Sequence, residues 1–132
     1  MDFIEKLEQC GFHGIGECSE AEIQNAEEKL GMRFPQEYRD FLKKYKAGVI
    51  NGCEIMGINT LKYLDSVANT LFSRKNDDEF PQDCFVLENI GVEGALTISN
   101  SVGQIFTYCE GKKQLICNSL SEFYDYLVSE KQ

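Results

Sequence analysis

A chain of 132 residues, 42% of them apolar and 11 of them glycine, fits one ordinary domain and is too short for two, so a single domain over 1–132 is expected. Its 22 acidic against 13 basic side chains leave a formal charge of −9, the wrong field for displacing counterions from nucleic acid or for settling on an anionic membrane. The composition speaks against disorder, and no apolar run approaches the roughly 20 residues that span a bilayer.

Residues 1–6 show neither a basic n-region nor an apolar h-region, so a cytoplasmic location is expected. Phe3, Ile4 and Leu7 recur at helical spacing and predict a short helix ending near Gly11. After a loop through 13–16, Ser19 and Glu22 stand in capping-box register. The helix behind them carries Ile23, Ala26 and Leu30 on one face, with Gly31 where a left-handed residue is wanted. Phe34-Pro35 opens the next helix. There Tyr38, Phe41, Leu42 and Tyr45 fall at i, i+3, i+4 and i+7, a core-facing stripe that Gly48 ends.

Beyond Gly52, residues 53–58 read as a strand. Residues 61–72 read as a helix with Leu61, Leu64, Ala68 and Leu71 inward, and 73–82 as a polar surface loop. From Cys84 the period changes to two, giving strands over 84–90, 95–100, 104–109 and 114–117, with glycine in every separator. Ser119 and Glu122 form a second capping box ahead of a last helix whose apolar face is Phe123, Tyr126 and Leu127. Helices, then a strand meander, then a helix imply an α+β fold: an antiparallel sheet with helices packed beside it.

The search for catalysis turns up little. Six cysteines at 10, 18, 53, 84, 109 and 117 make no CxxC pair and no zinc spacing. His13 is the sole histidine, which excludes a site needing two imidazoles. A Cys–His nucleophile pair would have to use that loop residue. There is no phosphate-cradling glycine loop, no G-x-S-x-G and no HExxH. Neither an enzyme nor a metal or organic cofactor is expected.

One segment is less ordinary. Between Lys75 and Lys112 there is no basic residue, while Asp77, Asp78, Glu79, Asp83, Glu88, Glu93 and Glu110 all fall there. Two readings stand: solvated acids that blunt sheet edges, or a surface that meets a basic partner protein.

The stretch from Ser19-Glu20-Ala21-Glu22-Ile23 through Ala26-Glu27, Leu30-Gly31, Phe34-Pro35, Tyr38 and Phe41-Leu42 resembles the N-terminal signature of the SUKH superfamily. The later strand meander and the Ser-x-x-Glu-Phe helix resemble it too, over nearly the whole chain. One departure is Lys46-Ala47-Gly48, where the family often has Asn-Gly-Gly. The resemblance implies a cytosolic immunity protein that binds and neutralises a cognate bacterial polymorphic toxin, often a nuclease. It also implies an alternative, a regulatory or scaffold interaction domain with no toxin partner.

Overall fold

The computed structural model describes residues 1–130. Helix α1 (Phe3–Gln9) starts on a reciprocal box between Asp2 and Glu5. Helix α2 (Glu20–Leu30) starts on the expected Ser19–Glu22 box and stops at Gly31 with φ +66°. Helix α3 (Gln36–Tyr45), with Pro35 as its cap residue, buries the expected aromatic stripe and also Arg39.

Its end differs from the reading above. The helix stops before Gly48, at a turn centred on Lys46 (φ +68°, ψ −51°). The Ala47 amide donates to the Tyr45 carbonyl at 2.7 Å, which closes a γ-turn of the rare positive-φ kind. The same carbonyl accepts the Ile15 amide at 3.0 Å, so the loop behind α1 is tied to the end of α3.

Gly48 instead opens a strand that the sequence reading passed over. Strand β1 (Gly48–Ile50) pairs antiparallel with β2 (Cys53–Ile55) across Asn51-Gly52, whose φ values of +48° and +85° suit a two-residue hairpin turn. The strand expected over 53–58 is therefore only its first half. Met56 leaves the hairpin to donate its amide to Leu87 at 2.8 Å, and the Gly57 carbonyl takes the Ser66 amide at 2.7 Å.

The helix expected over 61–72 is also corrected. A 3-10 turn covers Lys62–Leu64, and α4 (Ser66–Asn76) begins afresh at Asp65, whose carboxylate accepts the Ala68 amide. Of the four residues expected inward, Leu64 is buried and Ala68 half-buried, but Leu61 and Leu71 face solvent. The side turned in carries Ser66 and Thr70. Ser66 Oγ donates to the Val86 carbonyl at 2.6 Å, and Thr70 Oγ1 accepts the Val86 amide at 2.9 Å. Small hydroxyl residues thus satisfy the outer edge of a strand, a task no leucine can do. The loop expected over 73–82 begins only after Asn76 and buries Phe80.

The strands β3 (Cys84–Asn89), β4 (Leu96–Asn100), β5 (Ile105–Cys109) and β6 (Lys112–Cys117) form an antiparallel meander in chain order. Bulges lie at 86/88 and 105/106. One side of the sheet presents Phe85, Leu87 and Ile105 to the helices. There the Phe85 ring lies 4.8 Å from both Phe34 and Tyr38. The other side holds Val86, Ile98, Phe106 and Tyr108 beneath Met56 and Phe80. Helix α5 (Leu120–Glu130) closes the molecule. Ser119 caps the Glu122 amide as expected, but the Glu122 carboxylate returns to the Asn118 amide, one residue early for a full box. The expected α+β architecture, a meander with helices beside it, is the fold adopted.

Candidate functional site

The fold gathers five of the seven acidic residues at one end of the sheet. Residues 77–79 follow α4 to that end, where Asp77 accepts the Tyr108 hydroxyl at 2.6 Å and the Glu79 amide at 3.0 Å. The Glu79 carboxylate lies over Gly111 in the β5–β6 turn, filling the space a Cβ would take. Glu110 precedes that glycine. Glu93 stands in the β3–β4 turn, its carbonyl accepting the Cys109 thiol at 3.6 Å. Asp78, Glu79, Glu93 and Glu110 are exposed, whereas Asp77 is half-buried and engaged by its two donors.

Asp83 and Glu88 do not join them. Asp83 adjoins Cys84, which pairs with Asn100 at the opposite end of the sheet. Glu88 is only 9% exposed; it lies beside β4, where the Thr97 hydroxyl donates to it at 2.9 Å. Nor is the basic-free stretch basic-free in space. Lys112 and Lys113 follow the same turn, and Lys113 Nζ sits 4.4 Å from the centre of the Phe106 ring.

The side of α4 turned away from β3, with the 3-10 turn that precedes it, supplies what the sequence reading missed. Leu61, Tyr63, Leu71 and Phe72 are exposed at 64%, 63%, 42% and 67%. Tyr63, Ala68, Asn69 and Phe72 line a shallow hollow with Lys62. Grouped apolar exposure of this kind marks contact surfaces, whereas single exposed leucines are ordinary. A signal was available in Asp65-Ser66. A cap residue there restarts the helical register, and the adjacent pair Leu71-Phe72 then lies opposite Ser66 and Thr70. Helix α4 runs on through Arg74 and Lys75 into Asp77-Asp78-Glu79, so an apolar surface and an acidic margin lie in one continuous segment with two basic residues between them.

The groups that would carry nucleophilic chemistry are poorly placed for it. Burial pushes the Cys18 and Cys117 thiols up to about 11 and Cys84 to about 12, so all three stay protonated at neutral pH. Cys10 and His13 do border one cleft of about 480 Å³. The Cys10 thiol, however, donates to the Leu7 carbonyl at 3.3 Å. Among the described residues no group of three or more His, Cys, Asp or Glu side chains could hold a metal ion. None of the described helices is long and apolar enough to cross a membrane.

The residues of the 19–42 stretch do architectural work. The Glu27 carboxylate accepts the Phe34 amide at 2.8 Å and Arg39 Nε at 3.2 Å, while the Arg39 guanidinium also grips Glu20. Tyr38 donates its hydroxyl to the Met56 carbonyl at 2.7 Å. These bonds lock α2, α3 and the segment after β2 together. Comparison with curated proteins gives no match. A family model, SUKH_5, described as SMI1-KNR4 cell-wall, matches residues 1–130.

Proposed function

The chain belongs to the SMI1-KNR4 (SUKH) family, and from that premise we propose that it is a protein-binding module, an immunity protein that captures and neutralises a cognate bacterial toxin. The observation that carries the reading is the exposed apolar side of α4 with its acidic margin. Leu61, Tyr63, Leu71 and Phe72 supply a surface that gains from being covered, at about 25 cal/mol per Å² of apolar area removed from water. Asp78, Glu79, Glu93 and Glu110 supply an acidic margin at the turn end of the sheet. Interfaces are commonly built this way, with aromatic anchors at the centre and charge around them. A nuclease toxin carries a basic phosphate-binding cleft, and a chain of charge −9 is drawn to such a surface before contact. The reading is of a stoichiometric inhibitor in the cytoplasm, acting without catalysis.

The test is protection. Cells expressing a toxin domain from the same genome that this chain binds should survive when the chain is supplied. Survival should be lost with Tyr63→Ala/Phe72→Ala while the thermal midpoint stays near wild type. Full protection by that folded double variant would move the interface elsewhere. Failure of the wild-type chain to bind any toxin domain from its own genome would overturn the immunity reading. The family model's cell-wall description favours one second reading, a regulatory interaction domain using the same surface. Capture of an endogenous cell-wall factor in place of a toxin would select it.

A further inference from the structure

Glu88 has no part in the α4 surface, and its setting asks for a different explanation. As a residue it is only 9% exposed, yet none of the ion pairs among the described residues includes it. The Thr97 hydroxyl at 2.9 Å occupies one of about four acceptor positions on the carboxylate.

The surroundings form a groove of about 250 Å³ between the sheet and α5. Glu88, Thr97 and Thr107 lie side by side on β3, β4 and β5, since Glu88 is paired with Thr97 and Thr97 with Thr107. Adjacent strands are about 4.8 Å apart, so the three oxygen-bearing side chains form a short polar row. Ile90, Ile116 and Leu127 supply apolar wall, and Tyr126 an aromatic ring. Ile90 leads directly into the turn that carries Glu93, which places the groove beside the acidic end of the sheet.

We propose that this groove receives one arginine side chain from a partner protein, with Glu88 as the buried counter-ion. A guanidinium brings five donors in a planar fork and no acceptor. The carboxylate accepts from it, and both threonine hydroxyls keep lone pairs free to do the same. The apolar wall suits the arginine's methylene stem. The binding reading above is needed only to identify the donor as a protein. The preference of the groove for a cation is measured without any toxin.

The experiment titrates the full chain with N-acetyl-arginine methylamide while backbone amide resonances are followed. The lysine and citrulline analogues serve as parallel arms. Saturable shifts should centre on Glu88, Thr97, Thr107 and Leu127, strongest with arginine, weaker with lysine and absent with uncharged citrulline. Glu88→Gln keeps the shape and should cost at least about tenfold in affinity, as expected on removing a charged partner. Thr107→Trp fills the groove and should abolish binding, which keeps the test decisive if Glu88→Gln fails to fold. Equal shifts from citrulline, shifts centred elsewhere, or no saturable shift with arginine would each overturn the proposal. A negative titration beside intact protection refutes the groove alone. A positive titration in a chain that captures no toxin refutes the immunity reading alone.

Discussion

Arg39 shows how much of this fold turns on one side chain. It is buried between α2 and α3, bonded to Glu27 and Glu20, and Lys43 adds a 2.8 Å contact to Glu20. Arg39→Met should cost about 3–5 kcal/mol, because it strands the Glu27 carboxylate in a nearly closed site. The hydrogen bonds from Arg39 first, and Lys43 second, hold the Glu20 carboxyl down from its ordinary 4.5 to about 2. A carboxyl whose folded pKa is depressed stabilises the fold above its unfolded pKa and loses that contribution as pH falls through the folded one. Thermal midpoints should therefore drop between about pH 4.5 and pH 2, and the drop should be shallower in Arg39→Met. Parallel acid limbs would show that other carboxylates dominate. Lys46 makes a second prediction at this scale. Its positive-φ turn carries strain of about 1–3 kcal/mol, more than the roughly 0.5–1 kcal/mol that glycine costs in chain entropy. Lys46→Gly should raise the midpoint by a few degrees. Gly57→Ala should do the reverse and severely, since a Cβ there would fall 1.7 Å from the Lys46 carbonyl oxygen. A loss of about 3 kcal/mol or more, read from chemical denaturation, is expected.

At the scale of elements, α4 departs furthest from simple periodicity. Apolar spacing over 61–72 selects a leucine stripe, but the neighbour of α4 is a strand edge whose backbone groups need hydrogen bonds. Ser66 and Thr70 meet that need, so Leu71 turns outward. Thr70→Val keeps the shape and removes the acceptor for the Val86 amide, and should cost about 1–3 kcal/mol. Leu71→Ala, on the exposed side, should change stability by no more than about 0.5 kcal/mol. The reverse ranking in urea unfolding would mean that Leu71 is a core residue after all. The opposite edge of the sheet is treated differently. Strand β6 leaves Lys112, Lys113 and Gln114 exposed, and lysines on an open edge discourage pairing with other chains.

For the whole molecule the question is whether charge acts by its total or by its place. Asp77 is bound by Tyr108 and the Glu79 amide, and Glu79 is seated on Gly111, so reversing either would disturb the fold. Asp78→Lys/Glu93→Lys/Glu110→Lys spares both and reverses the turn end. At low salt, association with a basic toxin should slow by about an order of magnitude, with a shallower salt dependence and a smaller change in dissociation. Glu17→Lys/Glu28→Lys/Glu54→Lys changes net charge equally at exposed positions elsewhere, and should leave association nearly unchanged. Equal slowing by both triple variants would reduce the effect to net charge.

What could be read from residues alone was whatever depends on near neighbours in the chain. The Ser19 cap, the Gly31 stop, the Tyr38–Tyr45 stripe and the period-two strands rest on interactions within a few residues, and each is found in the fold. Asn51-Gly52 belonged to the same class and was legible as a hairpin turn, although Gly48 was read as a helix stop instead. The sequence by itself thereby determined the α+β class and the family. Only tertiary structure decided which side of α4 meets water, because the hydroxyls of Ser66 and Thr70 are paired with a strand edge distant in sequence. It alone separated Glu88 from the other acids, since strand pairing and the 86/88 bulge direct that carboxylate into the groove rather than toward the turn end. Local spacing sets the orientation of a side chain relative to its own element. Which of those orientations becomes interior is fixed by the partner that packs there, and that partner is chosen by the whole chain.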